Sequence, residues 1–298
     1  MDNDTRHVLT ILGLVACFGG GYFMYRGENR DILKTGEKLS AFTRVENELD
    51  GKANLDFKNE NKAVENAVNA YYQTNDRFFN YTYYDDSADS APESTQEKTY
   101  DYLNKYQMID DIAYINCSHF NLYSTQGFAH FFRDNPETAG LIVDLRNNGG
   151  GNTEDYTNIL GRFISARNIA QYHYNDGTTE DISTPELNFL YTQNVVILAN
   201  EKTASASEIF IAAMKQFYDG KVTVIGTKTY GKGVFQTSRY LSDDELIKYT
   251  AGYYTVGNWD CYDGIGIAPD IELSMDYDPD IICTDDDIQL QAALDLFK

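Results

Sequence analysis

Leu141-Ile142-Val143-Asp144-Leu145-Arg146-Asn147-Asn148-Gly149-Gly150-Gly151 is the stretch that decides the fold. It opens as an unbroken apolar run rather than an alternation, the pattern of a strand buried on both faces, and such strands belong to parallel sheets covered by helices. Three glycines follow at once, so the strand runs into a loop whose backbone can approach another group closely. The same texture recurs on either side. Ile112-Ala113-Tyr114-Ile115-Asn116-Cys117 reads as an earlier strand and Gln126 to Arg133 as a helix. Val195-Val196-Ile197-Leu198-Ala199 reads as the next buried strand, Ala206 to Tyr218 as a helix broken by Asp219-Gly220, and Val222-Thr223-Val224-Ile225-Gly226 as a further strand before a glycine-bearing loop, Thr227 to Gly233. This alternation predicts an α/β fold with a largely parallel sheet over residues 100–298.

The 298 residues carry 46 acidic and 24 basic side chains, a formal charge of -22. A surface this negative repels phosphate backbones, which argues against a nucleic-acid partner. The cysteines Cys17, Cys117, Cys261 and Cys283 are scattered without a CxxC pair, so they read as buried or free thiols rather than a disulfide scaffold or a zinc site. His119, His130 and His173 show no ligand spacing and read as structural or surface residues, a Ser-His-Asp triad being the alternative. Asp285-Asp286-Asp287 lacks the alternating oxygen ligands of a calcium loop and reads as solvated charge at a helix N-terminus. No metal and no cofactor is expected.

Residues 1–30 read as a membrane anchor or signal segment. The uncharged run Val8 to Tyr25 holds eighteen residues, which at 1.5 Å per residue span about 27 Å, just enough to cross a bilayer core. Within it, Leu14-Val15-Ala16-Cys17 resembles a bacterial lipobox, but apolar residues continue past Cys17, which favours an uncleaved anchor. Arg26, Arg30, Lys34 and Lys38 follow the segment and by the positive-inside tendency favour a cytoplasmic domain. Residues 31–99 read as a helical region and an acidic linker. Ala63, Val64, Ala67, Val68, Tyr71 and Tyr72 recur at helical spacing. The aromatic run Arg77 to Tyr84 reads as core packing, with a peptide groove as its alternative. Segment 85–99 has the composition of a flexible linker.

In open α/β sheets the strand ends and helix starts meet at one edge, where ligands bind. Three loops share it here: the glycine run, Thr203 to Glu208, and Tyr230 to Gly233. A helix from Ala206 travels about 18 Å away from this edge and the next strand returns about 16 Å, which brings Lys232 back close to Ser205. A hydroxyl at a helix start, a lysine beside it and backbone N–H groups from a glycine loop are the parts of an acyl-transfer site using a Ser-Lys pair.

Six blocks carry a family resemblance: Ile112-Ala-Tyr-Ile, Leu141 to Gly151, Ala204-Ser-Ala-Ser-Glu-Ile209, Tyr230-Gly-Lys-Gly-Val-Phe-Gln236, Gly264-Ile-Gly-Ile-Ala-Pro-Asp-Ile271 and Asp287-Ile-Gln-Leu-Gln-Ala-Ala-Leu294. In this order they resemble the signature blocks of the tail-specific, or C-terminal processing, peptidases. The resemblance implies a crotonase/ClpP-like core and a serine endopeptidase acting on extracytoplasmic polypeptides, with its domain membrane-anchored and outside the cytoplasm. It implies Ser205 as nucleophile, Lys232 as general base, Gln236 orienting the lysine amine, and oxyanion donors at the N–H of Ala206 and of a glycine in 149–151, foremost Gly150. The family usually carries a PDZ domain before its first catalytic strand, where this chain has only the 85–99 linker. The rival reading is a catalytically idle member that binds peptides in the same cleft, and intact Ser205, Lys232 and Gln236 favour the enzyme.

Taken singly, these residues have plainer readings. Ser205 with Glu208 spells a capping box, and a lone Lys232 reads as a solvated loop residue. Gly226 to Lys232 nearly spells a phosphate-binding loop, but Gly233 stands where Ser or Thr belongs and a strand follows instead of a helix.

Overall fold

The computed structural model describes residues 60–83, 105–243, 245–259 and 263–298. In chain order the elements are α1 (Glu60–Tyr72), β1 (Asn80–Tyr83), β2 (Lys105–Ile109), β3 (Ile112–Asn116), α2 (Leu122–Asp134), β4 (Gly140–Asp144), α3 (Thr153–Leu160), β5 (Asn168–Tyr174) and β6 (Thr179–Ser183). They continue with β7 (Val195–Ala199), α4 (Ala206–Phe217), β8 (Val222–Gly226), β9 (Val234–Ser242), β10 (Glu245–Val256), β11 (Ile271–Glu272) and α5 (Ile288–Asp295). Residues 60–75 with 81–83 form one compact unit, and 76–80 with the remaining described residues form another. In the first, the Asn69 amide brackets Tyr81: Oδ1 accepts its N–H at 2.6 Å and Nδ2 donates to its carbonyl at 2.8 Å.

The larger unit is built on a six-stranded sheet in the order β11-β8-β7-β4-β3-β2, parallel except for the antiparallel edge strand β2. Every residue of β3, β4 and β7 is buried. Side chains alternate between the faces of a strand, and here each face has its own helices. Ile115, Val143 and Ile197, in register across β3, β4 and β7, pack with residues of α2, α3 and α4. Tyr114, Ile142, Val196 and Leu198 pack with Leu290 and Ala293 of α5. The run Leu141 to Leu145 is continuous because both faces are covered. α4 is buried from Ala206 through Met214, as expected of a helix apolar all round.

α2 begins four residues before the expected Gln126. Asn121 Oδ1 accepts the Ser124 N–H at 3.0 Å and Ser124 Oγ accepts the Asn121 N–H at 3.0 Å, a reciprocal cap that extends the helix upstream. A second, antiparallel sheet joins β9, β10, β5 and β6, of which the sequence pattern marks only the strand that follows Gly233. Phe79 and Tyr81 are buried, in keeping with core packing of the aromatic run, whereas Phe78 is half-buried. The expected anchor at Val8 to Tyr25 and the 85–99 linker lie outside the described residues. Among the described residues no helix is long and apolar enough to cross a membrane.

Candidate active site

Because β4, β7 and β8 are parallel, the loops leaving their C-terminal ends converge. Thr203 Oγ1 donates to the Leu145 carbonyl at 2.8 Å, and the Ala204 N–H and Ser207 Oγ both donate to the Asn148 carbonyl, at 2.9 and 3.0 Å. Asn147 and Asn200 exchange two hydrogen bonds, and the Tyr230 N–H donates to the Thr203 carbonyl at 2.9 Å. The three loops singled out in the sequence are thus tied into one surface.

Ser205 stands at its centre. From Thr203 to Phe210 it is the one residue that is not buried. Its backbone has φ 59° and ψ -120°, a left-handed conformation that costs a non-glycine residue about 1–3 kcal/mol and persists only where its surroundings impose it. Ser207, the neighbouring hydroxyl, is fully buried on the Asn148 carbonyl.

Glu208 provides the imposing contact. Its Oε2 accepts the N–H groups of Ser205 at 2.9 Å and Lys232 at 2.8 Å, while Oε1 accepts the Gly231 N–H at 2.8 Å and Thr229 Oγ1 at 2.5 Å. This fully buried carboxylate therefore joins the backbones of Ser205 and Lys232 through one oxygen. Tyr254, also buried, donates its hydroxyl to the Lys232 carbonyl at 2.7 Å, with the Ser205 carbonyl at 3.4 Å. The sequence reading gave Glu208 only the Ser205 half of this role and did not single out Tyr254.

Lys232 Nζ donates to Gln236 Oε1 at 2.7 Å. Gln236 Nε2 in turn donates to the Phe78 carbonyl at 2.7 Å, and the Phe78 ring lies 4.7 Å from Nζ. Burial pushes the lysine amine below its ordinary value, helped by Lys248 and Arg77 and opposed by Asp76 and Asp263.

Of the two expected oxyanion donors, Ala206 is the first residue of α4, so its N–H has no acceptor within the helix. Gly150 packs against Ser205, but its N–H is engaged elsewhere. A Cβ there would meet the Ser205 Cβ at 3.0 Å and the Ala206 nitrogen at 3.1 Å, and its φ is +111°, so only glycine fits. Its N–H, however, donates to Asn148 Oδ1 at 2.8 Å, so in this structure it is already spent within its own loop.

Asp287 corrects the reading of the acidic cluster. Asp285 and Asp286 are exposed, but Asp287 is fully buried, caps α5 through the Leu290 N–H and pairs with Arg146. Arg146 also pairs with Asp144, which accepts the Tyr114 hydroxyl at 2.8 Å. The root of the glycine loop is thereby fastened to the C-terminal helix. His173 shares a hydrogen bond with Thr255 and stacks on Tyr253, and burial lowers the pKa of His119. Burial pushes the Cys117 thiol up to about 12. Among the described residues no three His, Cys, Asp or Glu side chains assemble to hold a metal ion.

Residues 111–273 match the family model of peptidase family S41. A Staphylococcus epidermidis "Probable CtpA-like serine protease" is 38% identical over 136 residues, 45% of this chain and 27% of that protein. One from Staphylococcus aureus is 36% identical over 135 residues, again 45% and 27%. The matched region thus spans about a quarter of the length of these curated relatives. Among solved structures, a lipoprotein from Streptococcus agalactiae is 17% identical with a TM-score of 0.59, covering 100% of this chain and 96% of that one. A Parabacteroides merdae protein assigned as a peptidase is 21% identical with a TM-score of 0.57, covering 86% and 88%.

Proposed function

The chain belongs to peptidase family S41, and on that premise we propose that it is a serine endopeptidase that cuts polypeptides through an acyl-enzyme on Ser205, with Lys232 as the base. The observation that carries the reading is the pairing of a conformationally strained, accessible Ser205 with a half-buried Lys232 whose amine faces Gln236, both backbones held by Glu208. The neutral amine takes the Oγ proton as Oγ bonds to the substrate carbonyl carbon. The resulting oxyanion lies at the N-terminus of α4, where the Ala206 N–H and the helix dipole favour negative charge. Lys232 then hands the proton to the leaving amine as the C–N bond breaks, and water repeats the sequence on the acyl-enzyme. Gln236 keeps the amine aimed. Helices on both faces of a parallel sheet, with the site at its strand-end edge, support a crotonase-like core.

The full chain is incubated with fluorescein-labelled unfolded casein beside its Ser205→Ala variant. Cleavage lost in the variant supports the peptidase. Cleavage equal in both refutes it. No cleavage by either favours the idle, peptide-binding member, a reading to which the occupied Gly150 N–H lends weight.

The uncharged Val8 to Tyr25 run supports placing the enzyme at a membrane, and the resemblance to the C-terminal processing peptidases supports a domain on the extracytoplasmic side, where the substrates would be polypeptides of that compartment. The fold likeness to a lipoprotein keeps lipidation at Cys17 as the second means of attachment. Detergent but not high salt should release the chain, and palmitate incorporation lost in Cys17→Ala would select the lipid. Resistance of the domain to protease added to intact cells would place it in the cytoplasm instead, as the flanking arginines and lysines suggest.

A further inference from the structure

The turn Asp76 to Phe79 reaches the site from outside the six blocks that carry the family resemblance. Phe78 contributes twice: its carbonyl accepts Gln236 Nε2 at 2.7 Å and its ring sits 4.7 Å from Lys232 Nζ. The turn is itself clamped. Asp76 Oδ1 accepts the Phe78 N–H at 3.0 Å and Thr250 Oγ1 at 2.8 Å, Oδ2 accepts the Thr250 N–H at 2.7 Å, and Arg77 pairs with Asp263 at 2.9 Å.

We infer that Phe78, held by Asp76, is a positioning residue for the Ser-Lys site: its carbonyl fixes which end of the Gln236 amide meets Lys232, and its ring keeps water from the amine. The inference rests on the proposed roles of Ser205 and Lys232. An amide has one donor end and one acceptor end, so a carbonyl on the Nε2 side leaves Oε1 for the lysine. A ring face attracts an ammonium, but it replaces waters that would each accept a hydrogen bond from it, so covering the amine favours the neutral form. The charged groups that face Lys232 are Lys248 on β10, Asp76 and Arg77 on the turn, and Asp263. Arg77 and Asp263 offset each other as an ion pair, which leaves hydration as the variable that Phe78 controls.

The test titrates Lys232 directly. The full chain, labelled with 13C-lysine, is followed by NMR against pH, and the Lys232 resonance is identified by its absence in Lys232→Arg. Phe78→Ala should raise the Lys232 midpoint by about one pH unit, Phe78→Leu by less because it stays apolar, and Thr250→Val, which removes a hydrogen bond to Asp76 without changing any charge, in the same direction by loosening the clamp. Initial rates on labelled casein at neutral pH should fall about tenfold in Phe78→Ala, matching a tenfold smaller neutral fraction, and recover as pH rises. A midpoint unchanged in Phe78→Ala, or a rate lowered equally at every pH, overturns the inference. If Phe78→Ala does not fold, Phe78→Leu and Thr250→Val decide by the same midpoint. Full casein cleavage by Ser205→Ala would refute the Ser-Lys reading separately, because the NMR midpoint does not depend on activity.

Discussion

The Gly150 N–H donates to Asn148 Oδ1 at 2.8 Å, although Gly150 packs so closely on Ser205 that a Cβ would lie 3.0 Å from the serine Cβ. The glycine therefore lies against Ser205 with its donor turned inward. An oxyanion is a stronger acceptor than a neutral amide oxygen, so a covalent adduct should capture this N–H. In a crystal structure of the Ser205 adduct with a peptide aldehyde, the adduct oxygen should lie about 2.7–3.1 Å from the nitrogens of both Ala206 and Gly150. If Gly150 still donates to Asn148 in the adduct, its role in the hole is refuted.

Ser205 should be separable into chemistry and strain. Ser205→Ala removes the nucleophile and should cost at least about a thousandfold in kcat/KM with little loss of stability. Ser205→Gly should be equally inactive yet more stable than Ser205→Ala by about 1 kcal/mol, because glycine accepts φ 59° without a Cβ penalty. Thermal unfolding of the two variants checks this, and equal midpoints would mean that the turn is unstrained. Ser207→Ala should retain activity and lose about 1 kcal/mol, the worth of its bond to Asn148.

Glu208 should behave as more than a helix cap. A lost cap costs about 1 kcal/mol, but Glu208→Gln turns one acceptor end into a donor that faces two donors. With buried N–H groups orphaned at about 1–3 kcal/mol each, it should lose at least about 2 kcal/mol. Because Ser205 and Lys232 meet at Oε2, kcat should fall by about a hundredfold, the scale on which misplacement of about 1 Å acts. A variant with only a cap-sized loss and normal kcat would confine Glu208 to capping.

What could be read from the sequence follows a physical boundary. Leu141 to Leu145 was legible because burial on both faces leaves a continuous apolar run, and the return of the chain at Lys232 toward Ser205 because element lengths alone bring it back to one edge. Contacts made by side chains across long separations were not legible. Asp287 looked solvated within three consecutive acids because its partner Arg146 lies 141 residues upstream, and Phe78 meets Gln236 across 158 residues. The Glu208 spacing to Ser205 is local, but nothing in it announces that Thr229, Gly231 and Lys232 return to the same carboxylate. The strain at Ser205 is a property of dihedral angles, to which residue type gives no access.

The Arg146–Asp287 pair should appear in acid stability. Its guanidinium and the N–H groups of Leu290 and Cys283 hold the Asp287 carboxyl below the ordinary range against the opposing effect of burial. The folded chain thus binds this proton more weakly than the unfolded chain does, so the stabilisation is present above the ordinary aspartate pKa and is lost as pH falls through the folded value. Asp287→Asn should unfold more easily at neutral pH, by about 3–5 kcal/mol for a broken buried pair, and its deficit against wild type should shrink in acid. A deficit independent of pH would show that the pair does not titrate with folding.

Lys232 carries the opposite linkage. Burial lowers its pKa in the fold, so between the folded value and the ordinary one, near 10.4, the unfolded chain binds more protons and stability rises with pH. Below that interval a charged amine sits in a half-dry site and its desolvation opposes folding; above it the amine is neutral in both states and the opposition is gone. Lys232→Met should therefore gain most over wild type at low pH, with the difference in unfolding midpoint narrowing as pH rises through the interval. Activity should follow the same titration for a chemical reason, since only the neutral amine can take the Ser205 proton, so kcat/KM should rise with pH and level off before the range where an exposed lysine titrates. Lys232→Arg should be as inactive as Lys232→Ala, because a guanidinium keeps its proton throughout. The base assignment fails if Lys232→Arg retains substantial activity, or if wild-type activity rises only with the titration of an ordinary lysine. A midpoint difference between Lys232→Met and wild type that is flat across pH would show that the amine stays hydrated in the fold.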